Sequence, residues 1–147
     1  WGILILFGGG LSIANGFQTT QIDLWIGDQL SSITITNALV VLLLVISSVN
    51  FITEMSSNMA TTAMLLPIMI PLSEVIGVHP YLLLISTTLA ASCAFMLPVA
   101  TPPNAVVFGS KLLTIRDMVK AGFLINVISI IIILIVVNYG LPLFWNL

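Results

Sequence analysis

The stretch Pro98-Val99-Ala100-Thr101-Pro102-Pro103-Asn104 decides how the rest of the chain is read, because it interrupts an apolar run. Tyr81 to Leu97 before it is apolar enough for hydrocarbon, and the run resumes at Ala105 to Phe108, so the three prolines lie at membrane depth. A helix cannot pass through them unbroken. Pro102 and Pro103 have no amide donor, and Pro102 disfavours the helical region for Thr101. A first half-helix is expected to stop near Leu97 and a second to start near Pro102, with Thr101 as N-cap and Pro102 at the first helical position. Carbonyls around Leu97 to Ala100, left without donors, need a partner other than water or lipid, and a bound cation is one. The second half-helix is expected to present free amides and the positive end of its dipole at mid-membrane, which suits an anion. Broken helices of this kind are binding elements of secondary transporters. A proline kink satisfied by neighbouring helices is the structural alternative.

The composition agrees with that depth. With 147 residues, 59% of them hydrophobic and 5% charged, and a mean hydropathy of +1.24, the chain reads as an all-α integral membrane protein. A net charge of −2 is too small to say anything about partners, and there is no basic patch for nucleic acid. The solitary Cys93 cannot form a disulfide within the chain and is read as packing. Because Trp1 falls inside an apolar run, the chain is expected to be a C-terminal portion of something larger.

Residues 1–15 read as the end of a transmembrane helix, and Gly8-Gly9-Gly10 within them matches no nucleotide-binding spacing. Residues 16–32 are a polar interfacial connection in which Trp25 suits the headgroup level. Residues 33–76 are apolar at both ends and polar in the middle, from Ser47 to Thr62. Apolar arms of about 9 to 12 residues cover roughly 14 to 18 Å, about half of the hydrocarbon core, so a re-entrant helical hairpin is expected rather than two full spans. Ser47, Asn50 and Glu54 fall on one helical face, which must point into protein or a cavity. Asn58 is the expected N-cap of the second arm, aiming another positive helix end at mid-membrane. Gly77 to Pro80 form a turn, and 81–111 is the broken transmembrane helix. Lys111, Arg116 and Lys120, all the basic residues of the chain, mark 112–120 as a cytoplasmic loop. Residues 121–147 are then the last transmembrane helix, with the C-terminus outside and Trp145 as its interfacial anchor.

Two like-signed helix ends converging at mid-membrane suit an anion with more than one carboxylate. Oxygens at Thr53, Ser56, Asn58, Ala100 and Thr101 could surround a small hard cation nearby. No catalytic pair is present. Glu54 is the only ionisable residue near this region and has neither an acid/base partner nor a nucleophile beside it, which excludes the common enzyme chemistries. An anion channel stays open as an alternative, since carbonyl-lined breaks also form selectivity filters.

The residues resemble the divalent anion/sodium symporters that carry citrate and dicarboxylates. The resemblance rests on Trp1-Gly2 with Phe7-Gly8-Gly9-Gly10, on Thr53-Glu54 ahead of Ser57-Asn58, and on the fifteen-residue run Ala91-Ser92-Cys93-Ala94-Phe95-Met96-Leu97-Pro98-Val99-Ala100-Thr101-Pro102-Pro103-Asn104-Ala105. It implies the C-terminal inverted repeat of an elevator-type secondary transporter, in the cell membrane as a homodimer, moving di- or tricarboxylates (succinate, malate, fumarate, citrate class) with sodium, Na+. The N-terminal half of the same transporter would complete the site. By the same resemblance, Ser57, Asn58, Met59, Thr101 and Pro102 line the substrate site, and Thr53, Ser56, Asn58 and Ala100 hold sodium. The family's hairpin tip reads Ser-Asn-Thr, whereas this chain has Ser57-Asn58-Met59, so one substrate-facing hydroxyl is missing. A sodium-independent exchanger of the same fold is the nearest alternative.

Overall fold

The computed structural model describes residues 38–145 and, ahead of them, residues 4, 5, 8, 9, 12, 15, 16, 19–22 and 25. The expectations for 1–15, for 16–32 and for 33–37 fall largely outside the described residues, as does the Trp145 side chain. Every regular element from residue 38 onward is helical: α1 (Ala38–Thr53), α2 (Asn58–Ile76), α3 (Pro80–Ser92), α4 (Pro102–Gly109) and α5 (Ile115–Ile135). α5 continues through a π-helical turn, Val136–Gly140, into α6 (Leu141–Trp145).

Local chemistry sets the ends of these helices. α2 stops at Gly77, whose φ of 72° is the left-handed conformation of a C-terminal cap, and the amides of Gly77 and Val78 satisfy the carbonyls of Glu74 and Ser73. The chain re-enters a helix at once: His79 Nδ1 accepts from the Tyr81 amide, and Pro80 takes the first turn, where no donor is needed. α5 opens on a capping box in which Thr114 Oγ1 accepts from the Asp117 amide at 3.3 Å and Asp117 Oδ2 accepts from the Thr114 amide at 3.0 Å. That box starts the helix at Ile115, so 112–120 is part loop and part helix, and Arg116 and Lys120 lie on its first turns rather than in a loop.

α1 and α2 form a helical hairpin turning at Glu54–Ser57, and each arm packs more extensively on α3 than on the other arm. The core between them and α5 contains Leu42, Ile46, Met69, Leu83, Ile130 and Val137. α2 and the segment Ile115–Leu143 are long and apolar enough to cross a membrane, and the outer face of α5 leaves Ile128, Ile131, Ile132 and Ile135 exposed, as a lipid-facing surface does. The arms are longer than their apolar runs suggested, 16 and 19 residues, because the polar stretch Ser47 to Thr53 is also helical. Its polar groups are accommodated by turning Asn50 and Thr53 inward, where both are fully buried.

α3 ends at Ser92, earlier than the expected stop near Leu97. The difference has a cause in the neighbouring helices, whose side chains take over the backbone groups that follow. α5 approaches this break closely enough that a Cβ on Gly122 would lie 2.3 Å from the Phe95 carbonyl oxygen and 2.6 Å from Met96 Cα. Both are backbone atoms and cannot swing away. Gly122→Ala is therefore expected to lower stability by at least about 1 to 3 kcal/mol through overpacking, whereas Gly109→Ala, which meets nothing within 4 Å, should be neutral or slightly stabilising. Monodispersity of detergent-solubilised protein after stepwise heating reads this directly. Identical behaviour of the two variants would show that the break can withdraw from α5.

Candidate functional site

The hairpin turn is docked on the helix break by one carboxylate. Glu54, 3% exposed, accepts from three consecutive amides of the break: Phe95 at 2.7 Å, Met96 at 3.0 Å to each oxygen, and Leu97 at 3.1 Å. A fourth donor, Asn126 Nδ2 of α5, reaches Oε1 at 2.7 Å. All the contacts to the carboxylate are donors, and charge-assisted hydrogen bonds of this kind are the stronger class. Four amide groups thus do for this carboxylate what a basic side chain does elsewhere.

Several carbonyls around the break are satisfied in the same manner. Thr53 Oγ1 shares its one proton between Ala91 O at 2.9 Å and Asn58 Oδ1 at 2.8 Å, and Asn50 Nδ2 donates to Cys93 O at 2.7 Å. Asn104 Nδ2, from α4, bridges Ala94 O at 3.0 Å and Leu97 O at 3.1 Å, and Leu97 O also accepts from the Ala100 amide. The expectation that unpaired carbonyls begin at Leu97 is therefore corrected. Among the described residues, the carbonyls of Phe95 and Met96, and those of Pro98, Val99 and Ala100 beside the prolines, accept no hydrogen bond. Ala100 is buried, so its carbonyl has no water to turn to.

The two helix starts differ, against the expectation that both carry free amides. α4 is capped by Thr101 Oγ1, which accepts from the Asn104 amide at 3.4 Å, and Pro102 and Pro103 have no amide to offer. Its contribution is a dipole and the Thr101 hydroxyl proton. α2 is the opposite case. Its cap position is Ser57 rather than Asn58, with no side-chain cap bond, because Asn58 Oδ1 instead accepts from Thr53 Oγ1 at 2.8 Å. The amides of Asn58, Met59 and Ala60 make no hydrogen bond among the described residues, and the Asn58 side-chain NH2 is also uncommitted. An uncapped helix start of this kind favours an anion.

The expected site residues fall into two groups. Thr53, Ser56, Ser57, Asn58 and Met59 are gathered by the turn, with Ser56 Oγ against Thr61 Oγ1, while Ala100, Thr101 and Pro102 belong to the break. Oxygen donors at the turn and an unpaired Ala100 carbonyl fit a hard monovalent cation better than a transition metal, and no cluster of three or more His, Cys, Asp or Glu occurs among the described residues. Sequence reasoning placed Asn50 on an inward face without its partner, the Cys93 carbonyl, and missed the roles of Asn104, Gly122 and Asn126. Asn126 carried a signal, being one of only two polar residues between Phe123 and Ile135.

These features define an all-helical integral membrane protein whose hairpin turn meets a broken helix. The chain belongs to the sodium:sulfate symporter transmembrane region family, whose description matches residues 1–146. It is 46% identical over 142 residues to the sodium-dependent dicarboxylate transporter SdcS of Staphylococcus saprophyticus, and 47% identical over 143 residues to the SdcS of Staphylococcus aureus strains USA300 and COL. Each comparison covers 97% of this chain but only 27% to 28% of the relative, so the chain spans about a quarter of the length of the proteins it matches. Those relatives are transporters, not enzymes.

Glu54→Gln tests the clamp. An amide keeps the shape but offers one acceptor where the carboxylate offers two, so at least one of the amides at 95–97 or at Asn126 loses its acceptor. A loss of about 1 to 3 kcal/mol for each orphaned donor is expected, seen as a lower unfolding midpoint in detergent. An unchanged midpoint would mean that the turn and the break are held together by packing alone.

Proposed function

We propose that the chain is the C-terminal repeat of an elevator-type secondary transporter that carries dicarboxylates, of the succinate, malate and fumarate class, coupled to sodium. The observation that carries this reading is the docking of the turn on the break through Glu54, which joins a turn with unsatisfied amides at Asn58–Ala60 to a break with unsatisfied carbonyls at Pro98–Ala100. Donors and acceptors left open side by side, in a membrane, call for an anion and a cation together. In this reading the Asn58 side-chain amide, the backbone amides of Asn58 and Met59, and the Thr101 hydroxyl bind substrate oxygens beside Pro102 and Ser57. Thr53, Ser56, Asn58 and Ala100 offer oxygens to sodium. The N-terminal part of the transporter supplies the rest of the site.

The depth of the turn supports a re-entrant hairpin. Gly122 and Asn126 mark where α5 meets the break, and Gly122 is seven residues, about 10 Å, from the start of α5 at Ile115. With Lys111, Arg116 and Lys120 on the cytoplasmic side, the turn stops about 10 Å short of that side and the C-terminus is outside. Charge accounting supports the cation. Two helix ends supply only about +0.5 each, and no basic side chain faces the break among the described residues, so a doubly charged substrate needs a bound positive ion.

The related dicarboxylate transporters are sodium-dependent by name, which adds to the same reading. The test is uptake of labelled succinate into proteoliposomes containing the complete transporter, with sodium replaced by choline. Uptake should collapse without sodium; undiminished uptake would overturn the coupling, and uptake only against internal dicarboxylate would establish an exchanger. Asn58→Ala and Thr101→Ala should each weaken succinate binding by about 5- to 150-fold without loss of insertion. Met59→Thr supplies a hydroxyl at the turn and is expected to change the preference among di- and tricarboxylates while transport continues.

A further inference from the structure

Asn126 belongs to none of the residues assigned above to substrate or cation, yet it is the one side chain of α5 that reaches the carboxylate holding the site together. It is fully buried, and its Nδ2 donates to Glu54 Oε1 at 2.7 Å across 72 positions of sequence. Among the described residues its Oδ1 has no partner. A buried amide carbonyl left unpaired costs free energy, and the orphan is explained only if the donor half is worth more. The orientation is also forced, since the flipped amide would set Oδ1 against the carboxylate oxygen. Around it, α5 is shaped to the break: Gly122 clears the backbone at Phe95 and Met96, Ser129 faces the Cys93 thiol, and Phe123 stacks near Phe51 of α1 at 6.2 Å.

We propose that Asn126 is a positioning residue for the cation. It acts through Glu54, and resting on the function proposed above, it keeps the oxygens of the turn at Thr53, Ser56 and Asn58 in register with the Ala100 carbonyl of the break. Without its donor, Glu54 Oε1 keeps the amides of Phe95 and Met96 but is no longer tied to α5, and the turn and break can shift together or apart against that helix. Cation affinity depends on the spacing of oxygens from both segments, whereas the anion is met chiefly by donors of the turn. Loss of the Asn126 donor should therefore raise the sodium requirement more than it weakens substrate binding.

Asn126→Ser is too short to reach Glu54 and introduces no charge, which makes the test specific. In the complete transporter, the variant should show a sodium half-saturation about tenfold above wild type, with the succinate KM at saturating sodium changed less than about twofold. Amide hydrogen exchange at Phe95–Leu97 should be faster in the variant, a readout that needs no transport. Faster exchange with an unchanged sodium requirement would overturn the proposal and leave Asn126 a packing residue. Unchanged exchange would overturn it also. A wild-type protein indifferent to sodium would sink the functional reading itself, and this proposal with it. If Asn126→Ser does not assemble, Asn126→Ala, which also removes the donor, should raise the sodium requirement likewise; a wild-type requirement in that variant would again overturn it.

Discussion

Backbone amides and carbonyls freed inside a membrane have no water to bond, and this structure is organised around meeting that constraint at one place. Between Ser92 and Pro102 the chain gives up helical hydrogen bonds over nine residues. Each released group there costs several kcal/mol if left alone in hydrocarbon. The remedy is a set of four side chains, Asn50, Thr53, Glu54 and Asn104, that take the place of the helix's own partners. Three of these come from the last turn of the hairpin arm, so satisfying the break and docking the turn are one event. The hairpin cannot lift away without exposing three amides and two carbonyls at once. That coupling argues for the turn and the break moving as one body in the proposed transport cycle.

The parts of this arrangement that depend on local sequence were legible in it, and the parts that depend on distant partners were not. Thr101 as a cap with Pro102 behind it, and the turn at Gly77 to Pro80, follow from rules that act within four residues. The stop at Ser92 follows only in part, because Pro98 disturbs a helix no further back than the Ala94 carbonyl; the earlier end comes with Asn50 and Glu54, some 40 positions upstream. Asn58 has the composition of a cap but serves Thr53 instead, a choice made by the tightness of the turn. The absence of free amides on α4 could have been read directly, since two successive prolines at a helix start remove the first two donors. Gly122 was invisible for another reason, for nothing in a glycine's neighbours says that a second backbone will lie against it.

This asymmetry between the two helix starts changes how a ligand would be divided. The turn has donors to spare, three backbone amides and the Asn58 side-chain NH2, while the break has carbonyls to spare at Pro98 to Ala100. A symmetric pair of positive helix ends would attract an anion to the midpoint and leave no place for a cation. With donors on one side and acceptors on the other, the anion belongs nearer the turn and the cation nearer the break. In the proposed function the two charges would stabilise each other in a medium of low dielectric constant, where a close pair interacts far more strongly than in water. Binding either alone would forfeit that attraction. Coupling of the two ions in the proposed function is therefore a property of the backbone itself, arising because one helix start is stripped of donors by prolines and the other is left uncapped by Thr53.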